Sequence, residues 1–158
     1  MPYEVRVLDQ PHMGLAVVRG VARADNLSPK VMELFDEVYQ RLAKSTVRQK
    51  GLNVVVYQNE AGQNLLASPK GCPIEVGVQV AAPFTSNAGL IYSATPEGAV
   101  ATVAHYGPYV RLGEAHEAIQ QWSTIHHRLL AGPCWEVYGH WTDDPVKLRT
   151  DVFYLLRG

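Results

Sequence analysis

One carboxylate, Glu136, stands in the run Pro133-Cys134-Trp135-Glu136-Val137-Tyr138-Gly139-His140-Trp141, otherwise rich in aromatic and β-branched residues. A strand alternates its faces, so Cys134, Glu136, Tyr138 and His140 share one side, and Trp135, Val137 and Trp141 the other. On a sheet wetted on one side, Glu136 would simply face water. Set among rings, the same carboxylate suits a large apolar cation, since ring faces attract positive charge and the anion neutralises it. Without such a partner, burial would push its pKa up. Rings are plentiful: Tyr106, Tyr109, Trp135, Tyr138, Trp141, Phe153 and Tyr154 cluster in the second half, and Tyr57 and Tyr92 come from elsewhere.

Other chemistries find less support. His116-Glu117-Ala118-Ile119-Gln120 approaches the helical zinc-protease signature, but Gln120 stands where the second histidine should be, so no metal is expected. His126 and His127 are helical neighbours about 100° apart and cannot converge on one ion. Cys134 and His140 share a strand face but lie roughly 20 Å apart along it, too far for a nucleophile and its base. No GxSxG, Walker loop or dinucleotide fingerprint can be written onto the glycines and serines, and no cofactor is expected.

The elements that must position Glu136 can be read in order. Tyr3, Val5 and Val7 alternate with Glu4 and Arg6 as a first strand, with Leu15–Gly20 as its hairpin partner. Val31, Leu34, Phe35, Val38 and Leu42 recur at helical spacing, predicting a helix between Asn26 and Ser45 with Ser28 as N-cap and Pro29 at the first position. Asn53–Tyr57 reads as a strand. Asn59 to Gly71 is polar and long. Ile74, Val76, Val78 and Val80 then alternate with Glu75, Gly77 and Gln79 as a strand with one packed side.

After a linker at about 83–88 the order repeats. Ile91–Ser93 and Val100–His105 read as strands, and Ala115, Ala118, Ile119, Trp122, Ile125 and Leu129 form a helical stripe that Gly132-Pro133 should stop. The opening stretch follows, then a last strand over Arg149–Leu156. The expected fold is α+β, with duplicated β-α-β-β modules, antiparallel sheets, one long helix per module and a groove between the halves. The halves, 1–82 and 89–158, form a single domain over 1–158. If the helices cover one face of each sheet, the other face is free near the axis between them.

Composition narrows the partners. The 158 residues carry 14 Lys and Arg against 15 Asp and Glu, scattered without a basic block, so direct nucleic-acid binding and an anionic membrane surface are not expected. With no apolar run of spanning length, no leader and only two cysteines, the sequence predicts a cytoplasmic protein with free thiols.

Tyr106-Gly107-Pro108-Tyr109, an amphipathic helix bearing Trp122, Pro133-Cys134-Trp135-Glu136-Val137-Tyr138 and a last strand with Asp151 together resemble the gyrase-inhibitor-like (GyrI-like) effector-binding family. That family also includes ligand-binding domains of multidrug-sensing bacterial transcription activators. The resemblance covers nearly the whole chain and is sharpest after Gly89. It implies that Glu136 meets hydrophobic cations, that Asp151 assists, and that Tyr106 and Tyr138 form aromatic walls. With the first strand starting at the initiator Met, the chain looks like the effector module alone.

The expected ligand-binding set is Glu136, Tyr57, Tyr106, Trp135, Tyr138, Asp151 and Phe153, and the expected partner is a hydrophobic, cationic small molecule. The family resemblance leaves two alternatives open. One is a hydrolase of strained cyclopropane-type genotoxins, with Glu136 as base and Tyr106 or Tyr138 as proton donor. The other is a protein-interaction module with a partner such as DNA gyrase.

Overall fold

The computed structural model describes residues 3–158; Met1, where the first strand was expected to begin, lies outside them. The elements are β1 (Arg6–Gln10), β2 (Gly14–Ala22), α1 (Leu27–Ala43), β3 (Asn53–Tyr57), β4 (Cys72–Gln79), β5 (Ile91–Ala94), β6 (Gly98–Tyr106), α2 (Leu112–Ile125), β7 (Leu130–Tyr138) and β8 (Arg149–Leu156). The duplicated α+β modules fuse into one antiparallel sheet of order β1-β6-β8-β7-β3-β4-β2-β5.

That order reads β1-β6-β8-β7 from one edge and β5-β2-β4-β3 from the other, so corresponding strands occupy corresponding places. The hairpin expected between β1 and β2 does not form. Each half lends its first strand to the other: Arg6 of β1 pairs with Thr102 of β6, and Ile91 of β5 pairs with Val17 of β2. β2 also pairs with β4, which a reading of adjacent segments could not show. The seam between halves is β3 against β7, with Val55 directly opposite Glu136. When the paired stretches of the two halves are aligned, Val55 corresponds to Glu136 and Tyr57 to Tyr138.

Both helices lie on one face of the sheet. α1 buries Leu34 and Val38 and packs on β2 and β4, whereas α2 buries Leu112, Ala115 and Ile119 and packs on β6 and β8. Asn26, not Ser28, precedes the first turn of α1, and its side chain accepts the Arg23 N–H (2.7 Å). Pro29 still falls within the first turn, where its missing N–H costs no helical hydrogen bond.

α2 ends sooner than its apolar stripe suggested. His126 follows its last residue, His127 has a left-handed φ of 53°, and Leu129 is exposed. Gly132 and Pro133 then lie inside β7, where the register against β8 shifts between Leu130 and Cys134. A bulge tolerates the proline because ladder pairing is already interrupted there.

The face away from the helices is also packed. Leu15, Val17, Val54, Val56, Val100, Trp135, Val137 and Phe153 form a buried cluster of strand residues alone. This face is therefore not the free surface expected near the axis. Glu75 lies there as well, buried rather than turned to solvent, where Arg19 Nε (2.9 Å) and Ser93 Oγ (2.6 Å) donate to it.

Candidate functional site

The open space is on the helix face. Because α1 and α2 each sit over outer strands, the central pair β3 and β7 is left as the floor of a cavity of about 1100 Å³ between them. Leu27, Val31, Met32 and Phe35 of α1 form one wall, and Leu112, His116, Gln120 and Ser123 of α2 the other. The segment from Asn59 to Leu66 closes one end, while Tyr109, from a 3-10 turn (Tyr109–Arg111) before α2, and Trp141, from the loop after β7, reach the lining. Among the described residues, no Lys or Arg lines this space.

Glu136 sits on the floor, 3% exposed. Its Oε1 accepts hydrogen bonds from the Tyr57 phenol (3.0 Å) and the Tyr138 phenol (2.5 Å), the corresponding residues of the two halves. Its Oε2 accepts from His116 Nε2 (2.6 Å). The other imidazole nitrogen meets the Tyr154 hydroxyl at 2.7 Å, and Gln120 Nε2 donates to that hydroxyl at 3.2 Å. Three elements, β3, β7 and α2, thus converge on one carboxylate, and a fourth, β8, holds His116 in place through Tyr154.

Burial by itself would push the Glu136 carboxyl up. The hydrogen bond and charge of His116, with the two phenol donors, outweigh it and hold the carboxyl below the usual range. The phenols move the opposite way: burial first, then the Glu136 charge, raises Tyr57 and Tyr138 well above the ordinary phenol value. Both remain donors at neutral pH. Burial likewise raises the Cys134 thiol, which lines the cavity as a protonated, poorly nucleophilic group. Cys72 also lines the cavity, and both thiols are free.

The residues anticipated for the site separate by strand face. Tyr57, Glu136 and Tyr138 meet at the floor. Trp135 and Phe153 lie on the other side of the sheet, stacked with ring centroids 5.5 Å apart at 11°. Asp151 stands opposite Val137 on that far face and accepts from Arg149 Nε at 2.9 Å. Tyr106 is 61% exposed at the end of β6, with the Arg149 guanidinium 5.5 Å from its ring centre. None of these four lines the cavity.

Tyr109 supplies the ring instead, packing edge-on to Tyr138 with centroids 5.7 Å apart. The loop carrying it is anchored from behind, where the buried His105 meets the Tyr3 hydroxyl (2.8 Å) and the Pro108 carbonyl (3.1 Å). His116 and Gln120, which in the sequence form only an incomplete metal signature, both take part in the site. The i and i+4 spacing that failed as a metal signature does place both on one face of α2. Among the described residues no group of three metal-ligating side chains converges, and no helix is long and apolar enough to cross a membrane.

The model of the GyrI-like small molecule binding domain matches residues 3–157. Among solved structures, the EcmrR C-terminal domain is similar at 17% identity and a TM-score of 0.69, with 99% of each chain covered. SAV2435 bound to tetraphenylphosphonium is similar at 10% identity and a TM-score of 0.67, covering 100% of this chain and 95% of that one. A hydrolase from Listeria innocua is similar at 10% identity and a TM-score of 0.61, covering 99% and 93%. At these identities the likeness is one of fold. No curated protein matches the sequence.

Proposed function

Because the chain belongs to the GyrI-like small molecule binding domain family, we propose that it binds hydrophobic cations between α1 and α2, with Glu136 as the counter-charge. The observation that carries this reading is a buried carboxylate held in its ionised form on the floor of an aromatic cavity whose lining, among the described residues, has no Lys or Arg and whose one imidazole, His116, is already bonded to that carboxylate. An anionic ligand would meet Glu136 with no Lys or Arg beside it among the described residues, and His116 already gives its Nε2 to that carboxylate. A cation would meet Glu136 together with the rings of Tyr57, Tyr109 and Tyr138. The cavity volume suits a drug-sized molecule. Tetraphenylphosphonium, bound by the structurally similar SAV2435, is a lipophilic cation of this type.

The saturation of Glu136 also favours binding over base catalysis. Three donors already occupy its two oxygens, and a carboxylate whose pKa is held down is a weak base. Trp141 lines the cavity and gives an optical signal. Tetraphenylphosphonium and a neutral tetraphenyl analogue, titrated against tryptophan emission, should bind unequally, with the cation preferred. Glu136→Gln, close in volume, should lose at least about tenfold in cation affinity, or ~1–2 kcal/mol for a desolvated charge contact. Equal affinity for the neutral analogue, or an unchanged mutant, would remove the proposal. Release of product from a cyclopropane-bearing substrate by the wild type would favour hydrolysis instead.

A further inference from the structure

The cavity holds a second carboxylate that the Glu136 cluster does not use. Glu60 lines the same space, is exposed, and forms no ion pair among the described residues. Its place is fixed by backbone. Asn59 Oδ1 accepts the N–H groups of Glu60 and Leu65 (both 3.1 Å), and Glu60 O accepts the N–H of Gln63 (3.0 Å). The turn lies hard against β7 at Gly132, where an added Cβ would stand 2.7 Å from Asn59 O and 3.0 Å from the Glu60 carbonyl carbon.

Gly132 is four residues along β7 from Glu136, about 13 Å of strand before the shortening at the bulge. Cys134, between the two on β7, lines the space without a charge, as do Leu66 and Leu130. The lining therefore carries carboxylates at two separated points, Glu136 and Glu60, with an uncharged stretch of β7 between their supports.

The geometry points to an elongated dication as the preferred ligand class, one cationic end at Glu136 and the other at Glu60, the charges roughly 10–13 Å apart. This rests on the cation-binding reading of Glu136. The two ends differ in kind. The Glu136 end is desolvated and barely sensitive to salt, while the Glu60 end is open to solvent and screened by it.

The test is a series of bis-quaternary ammonium compounds with lengthening alkyl spacers, each beside its monocationic counterpart, titrated into wild type, Glu60→Gln and Glu136→Gln. Glu60→Gln leaves the backbone hydrogen bonds of the turn in place, so it should fold as the wild type does. In the wild type, affinity should peak at a spacer matching that separation, about three- to fivefold above the monocation at low salt, and the excess should shrink in high salt. Glu60→Gln should abolish the excess of dication over monocation, whereas Glu136→Gln should weaken both ligands, the monocation by at least as large a factor as the dication. An excess that survives Glu60→Gln, or affinity that rises steadily with spacer length, would overturn the dication assignment while leaving Glu136 as the cation site. Monocation binding insensitive to Glu136→Gln would instead remove the reading beneath it.

Discussion

Glu136 stays ionised because three donors meet it, and each is tied to a different part of the fold: Tyr57 in β3, Tyr138 in β7 and His116 in α2. Removing the Tyr57 hydroxyl by Tyr57→Phe leaves Oε1 with a single donor. A hydrogen bond to a charged acceptor contributes about 1.5–3 kcal/mol, so the variant should be less stable by that order at neutral pH, measured by urea unfolding. The loss depends on pH in a defined direction. The folded carboxyl titrates below the ~4.3 of a free glutamate, so its stabilisation is complete above that value and disappears as pH falls through the lower folded value. The gap between wild type and Tyr57→Phe should accordingly be constant above pH ~5 and close in acid. A gap of equal size at all pH values would mean that the phenol acts by packing alone.

Among the elements, β7 does two jobs, carrying Glu136 at one end and supporting the Asn59–Ala61 turn at the other. Gly132 allows the second, with a φ of 122° and no Cβ to strike the turn. Gly132→Ala should lower stability by about 1–3 kcal/mol and reduce ligand affinity as the turn is displaced, read by thermal melting and fluorescence titration.

The strands and α1 were legible because their periodicities are local: alternation in Ile74–Val80, and helical spacing from Val31 to Leu42. The shared face of Cys134, Glu136 and Tyr138 was legible for the same reason. His116 was not, because its partner lies twenty residues away in β7 and a motif search within α2 cannot see across the cavity. Asp151, Phe153 and Tyr106 came from family resemblance and ring counting, and strand parity carries them to the far face. Trp135 shows the conflict most plainly, since alternation already separated it from Glu136. Glu75 was hidden likewise, because Ser93, which donates to it, belongs to a strand of the other half.

For the molecule as a whole, the exchange of β1 and β5 means that neither half owns a complete sheet. With the cavity floor also shared through β3 and β7, the halves should not melt separately. Calorimetry should give one transition whose van't Hoff and calorimetric enthalpies agree, and ligand should shift that single transition upward. Two resolved transitions would mean that the seam is weaker than the pairing implies.

The position of Glu136 at the seam bears on how such a site could arise. Two identical half-length chains could exchange first strands and pair through the equivalents of β3 and β7, giving a symmetric dimer with the same strand order. In that dimer the residue at the dyad would occur twice, side by side, so a glutamate there would face another glutamate. Like charges directly opposite each other in a sheet repel, and one would take up a proton. Joining the halves in one chain removes the constraint: valine can occupy one side of the axis and a lone carboxylate the other, with a tyrosine from each half bound to the same oxygen. A single fixed negative charge at the centre is thus something the fused chain can encode and its symmetric counterpart cannot.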